Sequence, residues 1–139
     1  MKLCNDVITV YNRYTDATTR YQVYIPTVIS NVHWFGTNKT NPTNDGLVSA
    51  KEYIIRIPIE ADFSNNSYAS PKEYEKLTTK TGYFTLAEGD IIVKGKVVET
   101  GQNAKPAYLH SNYDDVVTII SVTDSRTAPN APHWRVVCK

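Results

Sequence analysis

The chain has 139 residues, of which 15 are basic and 14 acidic, for a formal net charge of +1 at pH 7. That balance supplies no long-range field to concentrate polyanions, which argues against nucleic acid or an anionic membrane as the main partner. Hydrophobic residues make up 41% and charged residues 21%, values that argue against wholesale disorder. The length fits one domain, residues 1–139, able to bury roughly two thirds of its unfolded surface.

Taken in chain order, period-two patterning predicts a strand over Val7–Arg13, a polar turn over Tyr14–Thr19, and a second strand at Tyr21–Ile25. Pro26 interrupts that strand, which fits an edge or a bulge. Val28–Phe35 is extended, with Val32 and Trp34 on one face, and Gly36 ends it. Thr37–Gly46, with three asparagines, a proline and a glycine, has the chemistry of a loop. Lys51–Glu60 is the clearest strand, with Tyr53, Ile55, Ile57 and Ile59 on one face and Arg56, Pro58 and Glu60 on the other. Ser70-Pro71-Lys72-Glu73 reads as a helix start, placing one short helix near residues 71–78 with Tyr74 and Leu77 on one face.

Tyr83–Leu86 is a short strand and Ala87–Asp90 a turn. Ile91–Glu99 is a strong strand with Ile91, Val93 and Val97 on one face, and Gly95 marks a bend. Gly101–Asn112 reads as a polar loop. Val116–Val122, almost continuously apolar or β-branched, reads as a strand buried on both sides. A turn over Thr123–Pro132 leads to a last strand, His133–Cys138, with Trp134, Val136 and Cys138 facing one way. The expected fold class is therefore all-β with one short helix: a small antiparallel β-barrel or sandwich of about seven or eight strands with long loops. Ten tyrosines against three phenylalanines suit such a fold, because tyrosine packs its ring on a strand while its hydroxyl stays wet. Tyrosine is also enriched where proteins bind one another.

Chemistry-bearing motifs are sparse. Met1–Asp6 has no apolar run or cleavage site, so no signal peptide and an intracellular origin are expected, and the sequons at Asn38 and Asn65 then carry little meaning. The two cysteines, Cys4 and Cys138, form no C-x-x-C and read as reduced thiols on terminal strands, bridgeable only if those strands are neighbours. His33, His110 and His133 share no ligand spacing, so no metal site is expected. His133 and Cys138 fall on opposite strand faces, which argues against a dyad. There is no G-x-S-x-G and no phosphate-binding loop around Gly95-Lys96, so no catalytic residue and no cofactor site is assigned. Asp114-Asp115, and Glu88 with Asp90, read as solvated carboxylates at turns. Arg56, Lys94, Lys96 and Arg135 on the wet faces of three strands make the best nucleic-acid case, an OB-like module with stacking tyrosines. An enzyme site would have to assemble from distant loops around His33 or His110.

An ordered set of segments carries a resemblance. These are Asp6–Arg13, Val28–Gly36, Tyr53–Pro58, Leu86–Gly95 with its Gly89-Asp90-Ile91-Ile92-Val93, and Trp134–Cys138. Together they resemble a minor structural protein family of tailed phages and prophages of Gram-positive bacteria, and more loosely the head-closure (stopper) and head–tail joining proteins. The resemblance implies a β-barrel with long loops that acts without enzyme activity or cofactor. It implies assembly into a ring-forming homo-oligomer with other phage neck or tail proteins, possible as a monomer when isolated, in the bacterial cytoplasm and then the virion. Nucleic acid enters only as packaged DNA passing a channel, and no membrane is involved. The helix-like insert at residues 70–80 departs from the stopper pattern and leaves a tail-completion role open. Tyr68, Tyr108, Asn112 and Tyr113 are the expected interaction residues. Loops 37–46, 62–70 and 101–113 are expected to order on assembly, with ordering entropy drawn from binding.

Overall fold

The structure, a computed structural model, describes residues 5–15, 20–43, 46–77, 80, 82–97, 99, 104–130 and 132–139, with the side chains of 37–51 left aside. These residues form eight strands and two short helices. The strands are β1 (Asp6–Thr15), β2 (Gln22–Thr43), β3 (Gly46–Pro58), β4 (Ser67–Tyr68), β5 (Tyr83–Phe84), β6 (Ile91–Lys94), β7 (Val116–Ser125) and β8 (His133–Cys138). The helices are α1 (Pro71–Lys76) and α2 (Pro106–Asn112). The expected all-β class, a small antiparallel barrel or sandwich, is what the chain adopts.

Six strands pair in the order β1-β2-β3-β8-β7-β6, and β6 pairs back onto β1, all antiparallel. The circuit is built as two leaves, which gives it its sandwich character. One leaf holds β1 and β6, the other β3 and β8, and two strands belong to both. The first half of β2 pairs with β1 and its second half, from His33, pairs with β3. In the same way β7 pairs with β6 through Val116–Thr118 and with β8 from Ile119 onward. Such corner-turning strands need a local break in regularity. In β2 it falls at Asn31, whose φ is 65°, where the register steps from Val7↔Ser30 to Asp6↔Val32. In β7 the register shifts between Ile119 and Ser121.

Alternation then builds the interior. Ile8 and Val10, Val32 and Trp34, Ile55 and Ile57, Ile92, Val117 and Ile119, and Trp134, Val136 and Cys138 all point into one buried cluster. Each fully buried aliphatic side chain there contributes roughly 1.5–3 kcal/mol. Parity puts Tyr11, Ile91 and Val93 on the outside of the first leaf, where Leu109 of α2, Val97 and Ala104 cover them in a second cluster. Thus β6 is buried on both faces, and Ile91, Val93 and Val97 do share a side.

Several expectations are corrected. Residues 37–43 and Gly46, expected in a loop, are strand: β2 continues to Thr43 and β3 begins at Gly46, paired in register from Thr43↔Gly46 to His33↔Arg56, while Asn44 and Asp45 lie outside the described residues. Pro26 does not interrupt its strand, since it pairs with Tyr11 within β2, but its edge position holds: among the described residues the other side of that stretch carries one backbone bridge, Ser30↔Asp62. The strand beginning at Ile91 stops at Lys94, because Gly95 has φ 101° and its amide turns to the carbonyl of Val7 at 2.6 Å. Ile59 lies past the end of β3 and is 46% exposed, so it leaves the face of Ile55 and Ile57. The run Val116–Val122 is buried on one side only, with Ile120 43% exposed at the register shift. Gly101–Asn112 contains a second helix, α2. Its N-cap Lys105 makes no side-chain cap and Pro106 supplies the preset φ of a first turn. The first helix matches its reading: Ser70 Oγ accepts from the Glu73 amide at 3.4 Å, Pro71 opens the helix, and Tyr74 is buried. Tyr11 and Tyr74 depart from the wet-tyrosine expectation, because burial encloses both and pushes each phenol up to about 12. Cys138 is buried with a free thiol, and Cys4 lies outside the described residues.

Candidate interaction surfaces and the Asp90 cleft

Beyond Tyr53↔Cys138, β8 no longer flanks β3, and beyond Val32 the first strand no longer flanks β2. Residues 37–43 and 46–52 therefore pair only with each other among the described residues, as a two-stranded ribbon leaving the barrel. At about 3.4 Å per residue its arms reach roughly 24 Å. Among the described residues no further strand pairs with either edge of the ribbon backbone, which leaves those edges as pairing surfaces.

The outer face of the second leaf is a second surface. The register places His33, Arg56, Arg135 and Thr123 in one row across four strands, and Phe35, Ile54, Val137 and Ser121 in the next. Apart from the exposed Thr123 and Ser121, these side chains are half-buried. The Arg56 guanidinium lies 5.4 Å from the Phe35 ring centre, and His33 stacks at a tilt on the same ring at 5.1 Å. Arg56 and Arg135 are cross-strand neighbours of like charge, an arrangement that costs stability in the free protein. Among the described residues neither has an ion-pair partner. The expected basic stripe is only half realised. Lys94 follows the inward parity of Ile92 at the barrel mouth, its Nζ 5.8 Å from the Trp34 ring centre, and Lys96 lies past the bend at Gly95.

The expected interaction residues separate into two places. Tyr108, Asn112 and Tyr113 belong to α2 and its C-cap, outside the first leaf. Asn112 Nδ2 donates to the Tyr108 carbonyl at 2.9 Å, and Tyr113 donates from its hydroxyl to Glu99 Oε1 at 3.1 Å. Tyr11 donates to the Glu99 carbonyl at 3.0 Å, so Glu99 ties the helix end to β1. Asp114 and Asp115 follow, both exposed as expected. Tyr68 is elsewhere: it packs on Trp134 at 4.8 Å and Phe84 at 5.7 Å between ring centres. Arg126 covers it, 5.1 Å from the Tyr68 ring and 5.3 Å from that of Trp134, with its guanidinium held by the Asp124 carboxylate at 2.6 Å.

The most polar enclosed chemistry lies at the other end of β1. Asp90 is not the solvated turn residue its position suggests: it is 2% exposed. Its carboxylate accepts from Asn12 Nδ2 at 2.9 Å, the Arg13 amide at 3.1 Å and the Ala87 amide at 3.3 Å. Burial pushes its pKa up to about 6, against the opposing pull of those hydrogen bonds. It borders a cleft of about 460 Å³ lined also by Arg13, Tyr14, Glu75, Lys80 and Glu88. The three histidines are not in this cleft. His33 and His133 lie on the outward parity of β2 and β8, and His110 is exposed on α2. Among the described residues no group of three or more His, Cys, Asp or Glu converges as a metal site. No described helix is long and apolar enough to cross a membrane. The sequence signal for the Asp90 cluster was Asn12, the one amide on a face otherwise set by Ile8 and Val10. The ribbon had no local signal.

Fold and surfaces together define a small all-β domain that offers a projecting ribbon and two half-buried outer faces. The chain belongs to a family of unknown function, DUF6751, whose model matches residues 3–139. No curated protein and no solved structure matches it.

Proposed function

We propose that this chain is a non-enzymatic structural component of tailed-phage or prophage particles, a head–tail connector of the head-closure or tail-completion kind that acts by protein–protein assembly. The observation that carries the reading is the β2–β3 ribbon. A two-stranded ribbon is marginal in water by itself, and its open edges are templates for a neighbour's strand. An arm of this kind, carried on a small closed domain, suits β-addition to an adjoining subunit. The phage setting rests on the resemblance carried by Asp6–Arg13, Val28–Gly36, Tyr53–Pro58, Leu86–Gly95 and Trp134–Cys138. In that setting the partners are neck or tail proteins and further copies of the chain in a ring. The protein is present first in the bacterial cytoplasm and then in the virion, with DNA only passing through the channel.

Deleting the gene from a lysogen that carries it, then inducing, tests the reading. Filled heads and separate tails in the electron microscope are expected, with joining restored by the intact gene. Normal particles would end the proposal.

A second reading, an OB-like nucleic-acid module, is favoured by Phe35 lying beside Arg56 and in the row next to Arg135. Salt-dependent binding of a single-stranded oligonucleotide would support it, and no binding at low salt would remove it.

A further inference from the structure

We infer that the outer face of the second leaf and the C-terminal end of α2 are the two halves of one interface, made head to tail between copies of this chain. The inference rests on the assembly reading and names the surfaces that do the assembling.

The two surfaces are complementary in charge and alike in texture. One presents Arg56 and Arg135 beside half-buried Phe35, Ile54 and Val137. The other presents Asp114 and Asp115 beside half-buried Tyr108 and Tyr113. Among the described residues neither the arginines nor the two aspartates have an ion-pair partner. The like-charged Arg56–Arg135 pair disfavours the free face, and an acidic counterpart relieves it.

The surfaces cannot meet within one molecule. α2 lies outside the leaf of β1 and β6, because Leu109 packs on Tyr11, Ile91 and Val93. The arginine row lies outside the leaf of β3 and β8. The common interior, including Ile8, Ile55, Ile92 and Val136, stands between them. Opposite surfaces that match each other but not themselves define a heterologous contact, which builds rings or open chains rather than a two-fold dimer. Both halves are present on every copy, so a second copy is the occupant.

Sedimentation velocity across concentrations up to the millimolar range, at low and moderate salt, tests this with the full chain. Wild type is expected to associate, and more weakly as salt rises. Arg56→Glu with Arg135→Glu, and separately Asp114→Lys with Asp115→Lys, should each weaken self-association by more than about tenfold. Mixing the two variants should restore it, because each then offers the charge the other needs. Circular dichroism on each variant establishes that it is folded, and restoration on mixing is itself a readout that misfolding cannot produce. Association that ignores both reversals overturns this interface while leaving the assembly reading in place. A wild-type chain that stays monomeric throughout also overturns it, and the particle phenotype of the gene deletion then decides the wider reading on its own. Loss of oligonucleotide binding in the arginine variant, with the aspartate variant silent in both assays, would assign the face to polyanions instead and overturn the second copy as occupant.

Discussion

Asn12 donates from Nδ2 to the Asp90 carboxylate at 2.9 Å while its Oδ1 accepts from the Thr85 amide at 3.1 Å. One side-chain amide thus joins β1 to both arms of the turn that leads into β6. Asn12→Ala leaves the buried carboxylate and the Thr85 amide each short of a partner. The expected loss is about 2–3 kcal/mol, read as a lower urea midpoint at unchanged slope. A midpoint equal to wild type would show that the cluster does not need this amide.

Asp90 also sets a pH dependence. Its carboxyl is raised from 3.8 to about 6 in the folded chain, chiefly by burial. The folded state therefore holds this proton more tightly than the unfolded state does. The resulting stabilisation is fully present below about 4, and it is lost as pH rises through about 6. Its size is at most about 3 kcal/mol. Melting temperatures of wild type and Asp90→Asn between these pH values check the sign. The advantage of wild type over the variant should shrink as pH rises, and an advantage that grows would refute the assignment.

Leu109 is the fully buried side chain by which α2 holds the first leaf. Leu109→Ala is expected to cost about 2–5 kcal/mol. If α2 detaches, the Tyr113 amide, which donates to the Leu109 carbonyl at 3.0 Å, loses its protection against hydrogen exchange. Unchanged protection together with unchanged stability would mean that the helix is held by other contacts.

The Cys138 thiol is buried and its pKa is pushed up to about 12 by that burial. Thiolate is the reactive form, so Cys138 should resist alkylation in the native protein and react on unfolding. Peptide mapping after iodoacetamide, with and without urea, separates this thiol from Cys4. Rapid native labelling at Cys138 would contradict the packing.

The ribbon backbone pairs only with itself among the described residues. Replacing residues 37–51 by an Asn-Gly turn between Gly36 and Glu52 should therefore leave the melting temperature within a few degrees of wild type. Assembly should be lost. A collapse of the whole fold would mean that the arm is part of the domain's own stability.

Much of this architecture was legible because alternation is a local signal. Ile8 with Val10, Val32 with Trp34, Ile55 with Ile57, and Trp134 with Val136 all turn inward as their spacing requires. The start of α1 was legible for the same reason, in Ser70 and Pro71. What failed depended on distant partners or broken parity. Asn38, Asn41, Pro42 and Gly46 speak for turns, and only cross-strand pairing between β2 and β3 makes them strand residues. The seven residues of α2 are too few for a helical period, and Lys105 gives no capping signal. The run Val116–Val122 looks doubly buried because a register shift between Ile119 and Ser121 interrupts its alternation. Asp90 looks solvated until Asn12, far away in the chain, is brought beside it. Of the interaction residues, Tyr108, Asn112 and Tyr113 fall together on α2 and its C-cap, whereas Tyr68 packs at a tilt on Trp134 with Arg126 over both rings.

Because β2 carries on past its kink at Asn31 as one strand from Gln22 to Thr43, the wall of the barrel and the arm are one length of backbone. A tug applied at the arm's tip is delivered along that strand into its pairing with β1, and through β3 into its pairing with β8. Both ladders are then loaded in shear, so their hydrogen bonds resist together instead of parting one at a time. A load on such an arm would therefore meet two ladders at once and not the hairpin alone.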